Sequence, residues 1–363
     1  MIVESLAVHR FSLSLYDSFP NKSKEFASRD GLIIQMTDDE GHVGLGEIAP
    51  LPGFSPETLN EAEAQTIKLK VRLEGEDIPD NIDRLDGTLR NWLNYYKLLP
   101  SVQCGIEAAC LTLKARETGK SLARLINDNA EQIINVNGLL YGDEQNILRQ
   151  AKQMREAGFR TIKVKIGHLT VKKAAQLVRM LGEETHEQAL IRLDVNQAWN
   201  YEQALEFAGT VGLMTIEYIE EPFKDIKKIP EFYERTMIPV ALDESLLTRS
   251  LDDIRHIDGI DVLVLKPTIL GGLEKTWQIA QFAHVIGLKA VITSSFDSSL
   301  GLYTLAQIAA NLPHYVSYGL DTIKFLKEDV LKKPIKIDNG QIDIRQFSFD
   351  PSEINFDILK RVV

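Results

Sequence analysis

The chain has 363 residues, is 44% hydrophobic and 26% charged, and carries a formal net charge of -11. That apolar content suits one large domain plus a smaller one, and the acidic balance, spread along the chain, argues against nucleic acid as a partner, which would ask for a basic face. No basic segment followed by an apolar one opens the sequence, and no apolar run approaches the roughly 18 residues that a membrane span needs, so the expectation is a cytoplasmic protein with no membrane partner. Cys104 and Cys110 fall in one helical segment with no disulfide framework around them and read as free thiols.

The N-terminal stretch alternates apolar and polar residues, with Leu13 and Leu15 on one face. It is expected to pair with 31–35 and 43–46 as short antiparallel strands. Asp17 to Asp30, polar and charged with Pro20 inside it, is expected to be a mobile loop. A second loop, 49–56, is expected to end in a helix opened by Ser55, Pro56 and Glu57, since Ser ahead of Pro is a helix-start signal. Helical pattern then runs to about residue 130. The Gly44-Leu-Gly46 and Gly271-Gly272 pairs are weak phosphate signals and read as tight backbone positions. His168, just past a strand, reads as a surface group or a neighbour of the site.

From there short apolar runs recur between helical stretches: Val136–Leu140, Thr161–Ile166, Leu190–Asn196, Ile216–Glu220, Val240–Glu244, Val262–Lys266, Ala290–Ser294 and Val316–Leu320. Eight such runs imply parallel β-α units that close into a barrel, with a doubly wound open sheet as the alternative. The expected division is 1–130, then 131–323, then a 324–363 segment that returns to the N-terminal domain.

Polar residues interrupt these strands in register. In Thr161–Ile166 the period of two places Ile162, Val164 and Ile166 on one face and Lys163 and Lys165 on the other. Two ammonium groups aimed into a barrel need anionic partners or a chemical task; a solvated edge strand is the alternative. The following strands offer partners: Arg192, Asp194 and Asn196 share an inner face, Glu220 ends the next strand, and Asp243 the one after. Lys266 then ends a further strand. Glu221 and Glu244 lie beyond their strand ends and read as supporting or surface groups. Catalytic groups gather at the carboxyl ends of barrel strands, and three inward carboxylates need a cation to stay ionised together. All-oxygen ligation by Asp194, Glu220 and Asp243 selects Mg2+, with Mn2+ as a substitute, over zinc. A salt-bridge cluster remains the alternative for any single pair. A cation so held leaves room for a small-molecule carboxylate substrate, with Lys165 placed to take a proton from its α-carbon and Lys266 facing it.

The series Lys163-Val-Lys165, Asp194-Val-Asn196, Glu220-Glu-Pro, Asp243-Glu-Ser and Lys266-Pro-Thr resembles the muconate-lactonizing subgroup of the enolase superfamily. Ile292-Thr293-Ser294-Ser295 lacks the histidine of mandelate-racemase relatives. The resemblance covers nearly the whole chain and implies an α/β architecture: a modified (β/α)7β TIM barrel under an N-terminal α+β capping domain whose loops close over the substrate. The flanking stretches Arg29-Asp30-Gly31-Leu32, Gly46–Ser55, Ser298–Leu302 and Gly319-Leu320-Asp321-Thr322 are most similar to the proteobacterial o-succinylbenzoate synthase family.

That resemblance implies dehydration of a succinyl-bearing hydroxycyclohexadiene carboxylate in menaquinone biosynthesis. By it, Lys165 removes the α-proton and returns it to the departing hydroxyl. Lys266 stabilises the enediolate by a cation–π contact, and Lys163 helps hold the carboxylate. Thr293 and Gly319 lie near the succinyl tail, and Arg192 and Asn196 join the substrate-binding set. The rival activities are racemisation of N-acylamino acids or epimerisation of dipeptides with the same lysine pair, then cycloisomerisation of muconate. A non-catalytic carboxylate-binding barrel needs no opposed bases. The oligomeric state is open, and a monomer fits the sequence.

Overall fold

Strands β1 (Val3–Ser14), β2 (Ser28–Asp38) and β3 (Val43–Ile48) form the antiparallel sheet that the alternating N-terminus predicts. The computed structural model describes residues 1–16, 27–186, 188–212 and 216–363. Most of the expected 17–30 loop lies outside those residues. Its end does not: Arg29 and Asp30 belong to β2, paired with Leu13 and Ser12.

Helix α1 (Leu59–Leu73) starts later than Ser55-Pro56-Glu57 suggested, because Thr58 and Glu61 form a capping box. The Ser55 hydroxyl instead accepts the Leu51 N–H at 2.9 Å and closes the loop on itself. Glu57 reaches the backbone N–H of Ser101. After α2 (Thr88–Leu93), helix α3 (Pro100–Glu117) lies so close on β3 that a side-chain carbon at Gly44 or Gly46 would strike the backbone oxygens of Ala109 and Gly105. These glycines serve close packing. Helix α4 (Leu122–Ile126) leads out of this layer.

The remaining elements alternate. They are β4 (Ile133–Val136), β5 (Gly138–Leu140), α5 (Glu144–Glu156), β6 (Thr161–Lys165), α6 (Val171–Glu184), β7 (Leu190–Asp194), α7 (Tyr201–Val211) and β8 (Ile216–Glu220). Then come α8 (Ile229–Thr236), β9 (Val240–Leu242), α9 (Leu251–Ile254), β10 (Ile260–Leu265), α10 (Pro267–Leu270), α11 (Leu273–Val285), β11 (Lys289–Ile292), α12 (Ser299–Ala309) and β12 (Ser317–Tyr318). Strands β5 to β11 form one parallel sheet in chain order. A parallel Thr293–Gly319 bridge joins the end of β11 to β12, β12 pairs in parallel with β4, and β4 runs on through Asn137 into β5. The ring closes, which excludes the open sheet. Ile162, Val164, Ile191, Leu193 and Ile219 are all buried and supply the apolar packing of these strands.

The C-terminal segment serves both layers. Its Ile-Asp-Ile stretch gives β13 (Gln341–Asp343), which pairs with β4 of the barrel, whereas β14 (Lys360–Arg361) pairs with β1.

Buried carboxylates join cap and barrel. Glu107 of α3 accepts the Glu274 N–H at the start of α11 (2.9 Å), and Glu274 accepts the N–H groups of Leu89 and Arg90 in α2 (3.3 and 2.6 Å). Glu47 of β3 accepts the N–H groups of Ser298 and Gly301 at α12 (3.0 and 2.9 Å). Burial raises the pKa of both Glu107 and Glu47 to about 7, with the neighbouring Asp297 adding to the effect at Glu47. Arg29, wholly buried, donates to the carbonyls of Ala49, Pro50, Ser295 and Phe296 and ties β2 to the loop after β11.

Candidate active site

Strand register gathers the ionisable groups. Lys165, Asp194 and Glu220 lie side by side on β6, β7 and β8. Asp243 follows β9, and Lys266 follows β10. All five stand at carboxyl ends of strands, the end of such barrels that carries chemistry.

Lys163, one layer lower, extends its ammonium upward to lie 2.7 and 2.6 Å from the two Glu220 oxygens and 3.3 Å from Asp194. Lys165 is 3.7 Å from Asp194 and 3.3 Å from the Asn196 side-chain oxygen, and its side chain is 38% exposed toward the cavity that it lines. Lys266 is paired with Asp243. Burial alone would lower the pKa of Lys163 and Lys266, but Asp194 and Glu220 around the first, and Asp243 and Glu220 around the second, outweigh it and raise both. Burial pushes against ionisation of Asp194 as well, yet Lys163, Lys165 and Lys266 together hold its pKa below the usual value. Glu220 goes the other way. Burial, then the charges of Asp194 and Asp243, lift its pKa to about 8.

Glu220 is thus the carboxylate that lacks positive charge, whereas the lysines suffice for Asp194. Among the described residues no three His, Cys, Asp or Glu side chains close up tightly enough to enclose a metal, because the ammonium groups of Lys163 and Lys266 sit against the oxygens. The donor chemistry nonetheless fits a hard divalent cation: three carboxylates at the ends of adjacent strands, with no Cys or His among them. Beside Asp243, one buried oxygen of Glu244 has no hydrogen-bond partner. Burial and the Asp243 charge raise the Glu244 pKa.

The supporting residues are more ordered than their sequence positions suggested. Glu221, at a positive φ of 46°, is buried and accepts the N–H groups of Asp243 and Ser245 at 2.9 and 2.7 Å, which fixes where Asp243 stands. The other Glu244 oxygen accepts from the Asn196 amide at 2.8 Å, so Asn196 spans Lys165 and Glu244. Thr293 and Gly319 both line the cavity, with the Thr293 hydroxyl donating to the Gly319 carbonyl at 3.0 Å.

Arg192 differs from expectation. Its guanidinium is buried in the Lys163 layer and is engaged by Glu217 (2.7 Å), the Asn137 side chain (3.0 Å) and the Ser317 carbonyl. It bonds across the barrel interior below the cavity, making four hydrogen bonds to the protein.

Several contributors escaped the sequence reading. Phe54, from the cap loop, lines two adjoining cavities: one against Lys163, Lys165 and Thr293, the other against Asp243, Glu244 and Leu247. Lys266 lines both. Asp321 accepts the Leu139 N–H at 2.9 Å and pairs with Lys324, which donates to the Leu139 carbonyl at 2.7 Å.

A capped eight-stranded barrel with acidic and basic groups on successive strand ends defines an enzyme of the enolase superfamily. Residues 146–347 match the family model described as enolase C-terminal domain-like, and residues 3–113 match the MenC N-terminal domain. The chain is 32% identical over 342 residues to the o-succinylbenzoate synthase of Haemophilus influenzae, covering 92% of this chain and 94% of that protein. It therefore belongs to the o-succinylbenzoate synthase family. Solved structures agree on the fold. An N-succinyl Arg/Lys racemase from Bacillus cereus aligns with a TM-score of 0.83 at 21% identity, covering all of both chains. A muconate lactonizing enzyme from Pseudomonas fluorescens aligns at 0.82 and 21%, covering 94% of each. Members of the superfamily use a divalent metal. No helix among the described residues is long and apolar enough to cross a membrane.

Proposed function

We propose that this chain is a magnesium-dependent o-succinylbenzoate synthase that removes water from a succinyl-bearing hydroxycyclohexadiene carboxylate in menaquinone biosynthesis. The observation that carries the reading is the placement of Lys165 and Lys266 on one cavity, on either flank of Asp194, Glu220 and Asp243. Mg2+, with Mn2+ as a substitute, would be held by those three carboxylates and, when bound, supplies the charge that makes a proton next to the substrate carboxylate acidic.

Lys165 takes that proton from the α-carbon. The electron pair left behind becomes the ring double bond as the carbon–oxygen bond breaks, and Lys165 returns its proton to the leaving hydroxyl as water. The product ring is aromatic, so elimination is strongly favoured. Lys266 stabilises the electron-rich intermediate from the other side of the cavity, through its charge and a cation–π contact. Lys163, held against Glu220, places a further positive charge beside Lys165 and would help hold the substrate carboxylate. Thr293 and Gly319 form the wall that receives the succinyl tail, and Asn196 orients Lys165. Two unpaired buried cysteines suit a cytoplasmic location.

The lysine pair also suits racemisation, in which the two act as opposed acid and base. Incubation in deuterated water separates the readings. The synthase predicts a new aromatic absorbance band with the cyclohexadiene substrate. Deuterium incorporation with loss of optical rotation in N-acylamino acids, without that band, would overturn it.

A further inference from the structure

A second cleft, of about 580 Å3, lies between the cap and the barrel on the far side of Leu270 from the Lys266 cavity. Arg90 at the end of α2, Lys97 in the turn before α3, and Lys275 in the first turn of α11 all line it. In a chain with a net charge of -11, three cations meet here and no carboxylate lines the walls. The nearest acids are already engaged: Glu274 takes the backbone of α2, and Glu107 takes the backbone of α11. Neither Arg90 nor Lys275 has an acidic partner among the described residues. Among the described residues the Lys97 ammonium has the Asn94 amide oxygen as its partner, at 3.3 Å. Partial burial, then the nearby Arg90 charge, lowers the Lys275 pKa, as expected of a cation that lacks a counter-charge. Amide groups of Asn91 and Asn94 add neutral donors to the same walls, whereas the Gln103 amide donates to Glu107 at 2.7 Å.

We infer that this cleft is an anion site for a small phosphate or pyrophosphate group, separate from the barrel cavity. Arg90 would grip two oxygens through its planar fork, with Lys97 and Lys275 as point charges on the others. A concave wall of one charge sign concentrates such ions. Because the cations come from both layers, an anion bound between them would bridge cap and barrel and stabilise the folded protein.

The test is calorimetric titration of inorganic phosphate into the metal-loaded protein at low ionic strength, paired with melting temperatures. One phosphate per chain is expected, with a rise in melting temperature. Arg90→Gln with Lys275→Gln should weaken binding by about tenfold or more, as should Lys97→Gln in part. Lys152→Gln, an exposed lysine of α5, should leave affinity unchanged. Absence of binding to the wild-type protein, or equal affinity in the double variant, would overturn the site. Tighter binding of citrate than of phosphate would overturn the phosphate class. These positions lie outside the proposed catalytic set, so failure here leaves the synthase reading untouched, and failure of that reading leaves the cleft untouched.

Discussion

Both carboxylate oxygens of Glu220 lie within 2.7 Å of the Lys163 ammonium. This contact shows what the acidic centre requires. Glu220 is buried beside Asp194 and Asp243, and burial and those charges outweigh Lys163 and Lys266 and disfavour its ionised form. A divalent ion entering among the three carboxylates would compete with Lys163 and Lys266 for the same oxygens. Asp243→Asn should therefore weaken Mg2+ binding by about ten- to a hundredfold, measured by calorimetry. Unchanged affinity would remove Asp243 from the ligand set.

Phe54 touches both cavities while remaining 40% exposed. With Leu51 and Gly53 of the same loop, it is a cap residue that faces the two cavities. Phe54→Ala should lower kcat/KM by about tenfold, mostly through KM, while Phe54→Leu restores most of the loss. Equal kinetics for Phe54→Ala would show that the cap loop does not cover the reacting substrate.

Arg192 lies in the barrel interior below the cavity, held by Glu217, Asn137 and Ser317, so its substitution should register in stability first. Arg192→Met leaves Glu217 without its cation and should destabilise by about 3–5 kcal/mol, read by urea denaturation. A raised KM with stability unchanged would return Arg192 to the substrate-binding set.

Glu107 gives a pH prediction. Burial raises its pKa from 4.5 to about 7 in the folded protein. Between those values the folded state keeps a proton that the unfolded state has lost. Stability attributable to this group therefore falls as pH rises through that window and stays lower above it, by about 3 kcal/mol in all. Glu107→Gln should flatten that part of the profile between about pH 5 and about pH 8, by urea denaturation. An unaltered slope would show that Glu107 is already ionised at the lower pH.

The barrel was legible because its strands alternate strictly. A period of two put Lys163, Lys165, Asp194 and Glu220 on one face, and the structure brings all four together with Asp243 and Lys266. Alternation reports the face and not the height along the barrel. That is why Arg192, with the same inward parity as Asp194 but two residues nearer the strand start, was grouped with the cavity although its partners are Glu217, Asn137 and Ser317. The place of Glu221 depends on a positive φ at a strand exit, which no side-chain pattern announces. The later start of α1 turned on the Thr58–Glu61 capping box, while Ser55 and Glu57, which look like helix-start residues, are engaged locally by Leu51 and across the cap by Ser101. Phe54 comes from a loop and Lys324 from a single 3-10 turn (Ile323–Phe325), whose course only the packed molecule defines.

Lys165 carries the central claim, and its side chain is the most exposed of the three lysines at the site. Turnover of the cyclohexadiene substrate by Lys165→Ala, followed as growth of the aromatic absorbance beside wild-type enzyme, tests it most directly. The rate should fall by about a thousandfold or more, with Mg2+ affinity and melting temperature unchanged. Turnover within a few-fold of wild type would contradict Lys165 as the base.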